Sequence, residues 1–430
     1  MAILHILPLH YFFSLSHDLF YEKRHAIMPN MSDTDSVLSA RTGRIKPSPT
    51  IAVSSRAQEM KADGRDVINL GSGEPDFDTP QHIKDAAVAA IANGQTKYTA
   101  VGGTPALKKA VVQKLQRENN LDYSPQQIIV STGAKQATMN LMSAVLDDGD
   151  EVLIPAPFWV SYPDMALMAD ASPVIVPADD GHKISPEQLA RHITPRSKML
   201  VLNSPSNPSG ALYSTDELAA LAEVLLSHPR IIIASDDIYE HLRYDGRPFA
   251  NIVNACPELA ARTVVINGVS KAYAMTGWRI GYAAGAAPII KAMTTIQSQC
   301  TSNPCSIAQA AAEAALNGGT DCVAPMLAAF VKRRDFVKQG LNAVRDVSCG
   351  DIEGAFYAFA DARNAVTRLH KDGVINEPTD LALCAYLLEK GEVAAVPGSA
   401  FGSDGFFRIS FAASDDALKT ALSRIQSALG

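Results

Sequence analysis

Tryptophan is scarce in this chain, two in 430 residues, and cysteine is limited to six. Those six (Cys256, Cys300, Cys305, Cys322, Cys349 and Cys384) form no CxxC pair and no Cys/His cluster with zinc spacing, so no metal site is expected. They read as free thiols of a reducing, cytoplasmic compartment. Basic residues are outnumbered, 38 to 45, and the net charge of -7 argues against nucleic acid or an anionic membrane as a partner. No G-x-G-x-x-G sits on a strand-helix turn, which disfavours a dinucleotide-binding oxidoreductase. There is no internal repeat and no low-complexity linker. The apolar stretch Met1 to Leu15 is interrupted by His5, Pro8 and His10 and is too short to span a bilayer. It lacks the positive n-region and small-residue cleavage site of a secretory signal, and Lys23-Arg24 is thin support for a transit peptide. Met28 and Met31 precede a polar stretch, Ser32 to Ser39. Residues 1–30 therefore read as a non-structural extension from an upstream start.

What is present is alternation. Helical runs at His82–Ala92, Thr104–Asn119, Ala134–Leu146 and Thr215–Leu226 are interleaved with β-rich runs at Gln127–Val130, Glu151–Ile154, Lys198–Asn203, Ile231–Ala234, Thr263–Asn267 and Ile280–Ala284. Another helical stretch starts at Trp159. This pattern predicts an α/β domain around a mainly parallel sheet. Helices at Ile307–Leu316 and Pro325–Asn342 lead to a second region. It has short strands, Gly354–Ala360 and Phe406–Phe411, and helices near Leu381–Lys390 and Asp416–Leu429.

In an open α/β sheet, ligands sit beyond the carboxyl ends of the strands. The residues that fall there share one chemistry. Lys271 follows the strand Val264–Asn267, and a lysine at the mouth of a sheet can form a Schiff base with a carbonyl. Arg279, eight residues on, can hold a phosphate with its planar fork. Gly133, Ala134 and Lys135 open a helix whose free amides can bind phosphate, or else form a plain tight turn. Trp159 can stack on a flat heteroaromatic ring, or pack in the core. Asp236 follows four apolar residues and Ser235, where a carboxylate can keep a pyridine nitrogen protonated, or can cap a helix with Asp237. Tyr239 and Asn207 can hydrogen-bond a phenolic oxygen, although Asn207 also suits a Pro/Asn/Ser turn. Schiff base, phosphate and pyridine together describe pyridoxal phosphate (PLP).

The ordered motifs carry a resemblance. They include Gly71-Ser-Gly-Glu-Pro-Asp-Phe-Asp-Thr-Pro80, Ser131-Thr-Gly-Ala-Lys-Gln136, Pro155-Ala-Pro-Phe-Trp-Val-Ser-Tyr162, Asn203-Ser-Pro-Ser-Asn-Pro-Ser-Gly210, Ser235-Asp-Asp-Ile-Tyr-Glu240, the Lys271 segment and Phe407-Arg-Ile-Ser410. From Ile45 to the C-terminus the chain resembles the class I aminotransferases of PLP fold type I. Within them it is similar to the bacterial-type aspartate enzymes, including those that also act on prephenate. The resemblance implies a large PLP-binding domain at 79–324. It implies a smaller α+β domain built from an N-terminal arm at 31–78 and from 325–430.

It also implies roles. Lys271 is the Schiff-base lysine and proton carrier, Asp236 the partner of the pyridine nitrogen, and Tyr239 and Asn207 the partners of the ring oxygen. Arg279 and the amides at Ala134 and Lys135 hold the phosphate, and Tyr98 reaches that of a neighbouring subunit, implying a homodimer with shared sites. Arg408 clamps the substrate α-carboxylate, while Gly73 and Trp159 line the substrate pocket. The position of Ser three residues before the lysine in related enzymes is here Gly268, which leaves Ser270 to supply a hydroxyl to the phosphate. For a dicarboxylic substrate, the arginine of the animal-type enzymes is replaced in this pocket by Ser298. Lys135 and Thr50 take over the distal carboxylate. The substrates implied are amino acids and 2-oxo acids: aspartate or glutamate as donors, with oxaloacetate, 2-oxoglutarate and prephenate as acceptors. Aromatic or alanine aminotransferases and carbon-sulfur lyases of the same fold are the alternatives. A PLP-binding regulator is disfavoured by the absence of a basic DNA-binding module.

Overall fold

Continuous β-branched and apolar runs such as Ile128-Ile-Val130 and Thr263-Val-Val-Ile266 suit strands buried on both faces. A computed structural model, which describes residues 37–179, 181–244 and 246–430, places them that way. The expected extension at 1–30 lies outside the described residues. The chain divides into two units, Met1–Ile45 and Lys46–Gly430. The described part of the first contains a short helix, Ala40–Arg44, preceded by Ser39, whose carbonyl accepts a hydrogen bond from the Thr42 hydroxyl at 2.6 Å.

In the second unit the strands are, in chain order, β1 (Ile68–Asn69), β2 (Ile128–Ser131), β3 (Glu151–Ala156), β4 (Ser172–Pro177), β5 (Ser197–Asn203), β6 (Ile232–Asp236), β7 (Thr263–Gly268), β8 (Gly281–Ala284), β9 (Ser348–Cys349), β10 (Tyr357–Asp361), β11 (Val393–Ala394), β12 (Val396–Pro397) and β13 (Phe406–Ser410). Seven of them form one sheet in the order β2-β8-β7-β6-β5-β3-β4. Only β8 runs against its neighbours; the other pairings are parallel. Period-two alternation splits the side chains between two cores. Val130, Leu153, Leu200, Ile233 and Val265 pack on one face with the helices Pro105–Asn119 and Thr215–Leu226. Ile129, Val152, Met199, Ala234 and Val264 pack on the other with Ala134–Val145 and Ala287–Cys300.

A second, antiparallel sheet runs β12-β13-β10-β9, and β1 pairs in parallel with β11. Helices Ala324–Asn342, Asp380–Gly391 and Asp415–Leu429 accompany these strands. The strand expected from Gly354 begins only at Tyr357. Gly354 instead bridges to Arg243, and Ala355 takes a left-handed turn at φ +56°. The edge strand β4 and the helix Arg363–Lys371 were not expected from sequence. All six cysteines are free thiols. Among the described residues no helix is long and apolar enough to cross a membrane.

Candidate active site

The carboxyl ends of β2, β3, β5, β6 and β7 open on one cavity of about 390 Å³. Its wall includes Lys271, Asp236, Tyr239, Asn207, Ser270, Arg279, Ala134, Lys135, Trp159, Gly73, Thr50 and Arg408. Strand ends far apart in sequence converge because five parallel strands point the same way.

Lys271 stands in the loop after β7 and donates to the Gly73 carbonyl at 2.5 Å. Burial pushes its amine down to about 8, and the charges of Arg279 and Arg408 push the same way; Glu74 and Asp236 oppose them. Asp236 ends β6 and is buried. Its Oδ2 accepts from the Tyr162 hydroxyl at 2.6 Å and its Oδ1 from the Ile238 amide at 3.3 Å. Burial raises its pKa, while Tyr162, the Ile238 amide and Lys271 hold it down. The carboxylate therefore turns the chain locally and also faces the cavity. Its neighbour Asp237 points elsewhere, accepting from Ser235 at 2.7 Å and Asn251 at 3.0 Å, and burial pushes it up to about 8.

Arg408, on β13, is 2% exposed. It donates to Asn207 Oδ1 at 2.7 Å and to the Gly71 carbonyl at 2.6 Å, with its guanidinium 4.4 Å from the centre of the Tyr357 ring. Its Nε is buried without a partner, an orphaned donor. With Oδ1 of Asn207 engaged by Arg408, the side-chain nitrogen of Asn207 is left as a donor. The Asn207 backbone N–H donates to Asn203 Oδ1 at 2.9 Å, and Asn203 Nδ2 donates to the Asp236 backbone carbonyl at 2.9 Å. Tyr239 and Tyr357 share a hydroxyl-hydroxyl hydrogen bond of 2.8 Å. A Cβ at Gly73 would lie 2.6 Å from the Tyr357 hydroxyl, so any larger residue there would have to displace that side chain.

At the other end of the cavity, Gly133 (φ +84°) opens the helix Ala134–Val145. The Arg279 guanidinium lies where a Cβ of Gly133 would be. Free amides at this N-terminus and one guanidinium make an anion cradle. Lys135 sits beside it, its Nζ 5.1 Å from the centre of the Trp159 ring. Desolvation and the charge of Arg279 lower its pKa; Asp164 opposes them. Trp159 meets Tyr162 edge-on at 5.2 Å. Gly268 has no room for a side chain: a Cβ there would lie 2.9 Å from the Ile280 carbonyl. That close crossing of β7 and β8 accounts for the glycine, while Ser270 does reach the cavity wall.

Two residues singled out from sequence lie away from this cavity in the single chain. Tyr98 is 92% exposed, and Ser298 is exposed with its hydroxyl on the Thr295 carbonyl at 2.7 Å. Seven wall residues were not assigned roles from sequence: Ser72, Glu74, Tyr162, Asn203, Ile238, Thr276 and Tyr357. Tyr162, Asn203 and Glu74 stand inside recognised motifs, so their positions were available; Tyr357 had no local signal.

The Aminotransferase class I and II family profile matches residues 65–425. The chain is 58% identical over 394 residues to the aspartate/prephenate aminotransferase of Nitrosomonas europaea, covering 91% of this chain and 99% of that one. It is 53% identical over 391 residues to the protein of the same name from Cereibacter sphaeroides, covering 90% and 98%. Among solved structures, the aspartate aminotransferase of Rhizobium meliloti superposes with a TM-score of 0.86 at 49% identity, covering 91% of this chain and 98% of that one. That of Thermus thermophilus with maleate gives 0.84 at 40% identity, covering 91% and 99%. With a mainly parallel sheet presenting a lysine, a buried aspartate and an anion cradle to one cavity, and with these matches across nine-tenths of its length, this chain belongs to the class I and II aminotransferases.

Proposed function

We propose that this enzyme is a PLP-dependent transaminase that moves an amino group between aspartate or glutamate and a 2-oxo acid, with oxaloacetate, 2-oxoglutarate and prephenate as acceptors. The observation that carries the reading is the pairing, in one cavity, of a lysine pushed down to about 8 with a buried aspartate and a buried arginine that has a donor to spare.

The donor set fits the cofactor. The amides at Ala134 and Lys135, with Arg279 and Ser270, suit the phosphate; Asp236 suits the pyridine nitrogen; Tyr239 and the Asn207 nitrogen suit the ring oxygen. Bound PLP supplies an electron sink for the charge released when the substrate Cα–H bond breaks. The chain does the rest. Lys271 would hold the cofactor through its amine, and that amine would carry the proton to and from the substrate Cα. Asp236, whose charged form the Tyr162 hydroxyl stabilises against burial, would keep the pyridine nitrogen protonated. Arg408 would bind the substrate α-carboxylate, and Trp159 offers the cavity a flat apolar face. Lys135, a point charge on a flexible stem, takes the distal carboxylate with Thr50 and tolerates more than one carboxylate position. The names of the relatives, aspartate/prephenate aminotransferases, support this substrate class. Ser298 marks the place of a cationic clamp that this pocket does without.

The same reading takes residues 79–324 as the PLP-binding domain, and 325–430 with the part of the 31–78 arm from Lys46 onward as the smaller one; residues 31–36 of that arm lie outside the described residues. It makes the enzyme a cytoplasmic homodimer in which Tyr98, exposed in one protomer, serves its partner's phosphate. Reduction of the PLP-loaded protein with borohydride, followed by peptide mapping, tests the attachment. The pyridoxyl group should sit on Lys271; a label on any other lysine would overturn the assignment.

A further inference from the structure

The loop that joins β7 to β8 carries both Lys271 and Arg279 and holds two non-glycine residues in left-handed conformations, Ala274 at φ +49° and Arg279 at φ +54°. Such residues persist only where the surroundings over-determine them. The surroundings here are the segment Gly73–Thr79. The Thr79 side chain, 9% exposed, donates its hydroxyl proton to the Ala274 carbonyl at 2.7 Å and accepts from the Trp278 indole N–H at 3.0 Å. One oxygen thus ties the first strained residue to the residue just before the second. Glu74 adds a contact by accepting from the Thr276 hydroxyl, and the Thr276 carbonyl accepts from Arg279 at 2.9 Å. Lys271 donates to Gly73, but that contact belongs to a side chain whose nitrogen is reserved for a carbonyl partner. The Thr79 bridge involves neither reacting group, so it can hold the turn whatever Lys271 is doing.

We propose that Thr79 is a positioning residue for anion binding: by bridging Ala274 and Trp278, its hydroxyl fixes the turn that aims Arg279 at the helix N-terminus of Gly133. It acts through Arg279 and touches neither cofactor nor substrate. The inference rests on the reading of this cavity as a PLP site with its phosphate at Arg279. It goes beyond that reading in placing control of phosphate affinity on a side chain outside the cavity wall.

The test is equilibrium binding of PLP and of pyridoxal, which lacks the phosphate, to the apoenzyme, followed by tryptophan fluorescence. Thr79→Val, close in shape but without the hydroxyl, should weaken PLP binding roughly tenfold while pyridoxal binding changes less than about twofold. Thr79→Ser should restore PLP affinity. Equal loss for both ligands would mean a merely structural role and would overturn the inference, as would an undiminished affinity for PLP. If Thr79→Val does not fold, Trp278→Phe removes the same hydroxyl–indole bond from the other side. It should give the same selective loss, and unchanged PLP binding there would also overturn the inference. A wild-type protein that binds PLP beside unaffected variants sinks only the role of Thr79. A wild-type protein that binds no PLP sinks the functional reading and this inference together.

Discussion

The Tyr162 hydroxyl donates to the Asp236 carboxylate at 2.6 Å, and both side chains are buried. Burial favours the neutral acid at Asp236, and the tyrosine works against that preference. Tyr162→Phe should therefore raise the Asp236 pKa further. A carboxyl with a higher pKa is protonated at higher pH, so the acid limb of the kcat profile should move upward in pH. A hydrogen bond to a charged group is worth about 1.5–3 kcal/mol, so the limb should shift by roughly one to two pH units. A pH-rate profile that superposes on the wild type would remove Tyr162 from the account.

Lys271 gives a second pH prediction. Its neutral amine is the nucleophile, and the neutral fraction rises with pH through a midpoint near the group's own value, about 8. The rate at which PLP attaches to the apoenzyme should therefore climb with pH and level off above that midpoint. A midpoint near the ordinary lysine value of 10.5 would show that burial, Arg279 and Arg408 do not act on this amine as described. Lys271→Ala should abolish both attachment and transamination.

Lys135 separates specificity from cofactor binding. Its side chain lies over Trp159 at the rim of the anion cradle. Lys135→Ala should raise KM for dicarboxylic acceptors by roughly tenfold or more, with a much smaller change for phenylpyruvate. Equal losses on both acceptors would assign Lys135 to the phosphate or to the fold.

Stability depends on a different pair. Lys114 and Glu240, both buried, are in direct contact, and Asn119 and Asn267 also bond the same carboxylate. Burial alone would raise the Glu240 pKa, but Lys114 and His241 drive it down to about 2. A depressed carboxylate contributes stability above its unfolded value and loses it as pH falls toward the folded one, here from about 4.5 to about 2. Lys114→Met removes the lysine partner of the buried Glu240, leaving it His241 and the two asparagine amides, and should cost about 3–5 kcal/mol in denaturant unfolding near neutral pH. A cost below about 1 kcal/mol would show that Glu240 finds other compensation.

The parallel strands and their flanking helices were legible because their signals are local. Thr215–Leu226 matches its expected bounds, and its start is marked by the reciprocal pair Ser214 and Glu217. The strand β4 was missed because Ser172, Pro173 and Pro177 disguise it, and an edge position tolerates proline. The residues of the cavity that sit at strand ends could be read in the same way. Tyr357 could not, because its place against Gly73 and Tyr239 is set by how β10 comes to the cavity, a long-range relation with no signal in the residues around it. Tyr162 lay inside a recognised motif, but its partner is 74 residues away, and only the fold brings the two together.

The central claim, that this cavity transaminates dicarboxylic partners, is tested most directly by steady-state assays with glutamate as donor and oxaloacetate, prephenate, phenylpyruvate and pyruvate as parallel acceptors. The account predicts turnover with oxaloacetate and with prephenate, each with a higher kcat/KM than pyruvate. No turnover with either dicarboxylic acceptor would contradict it.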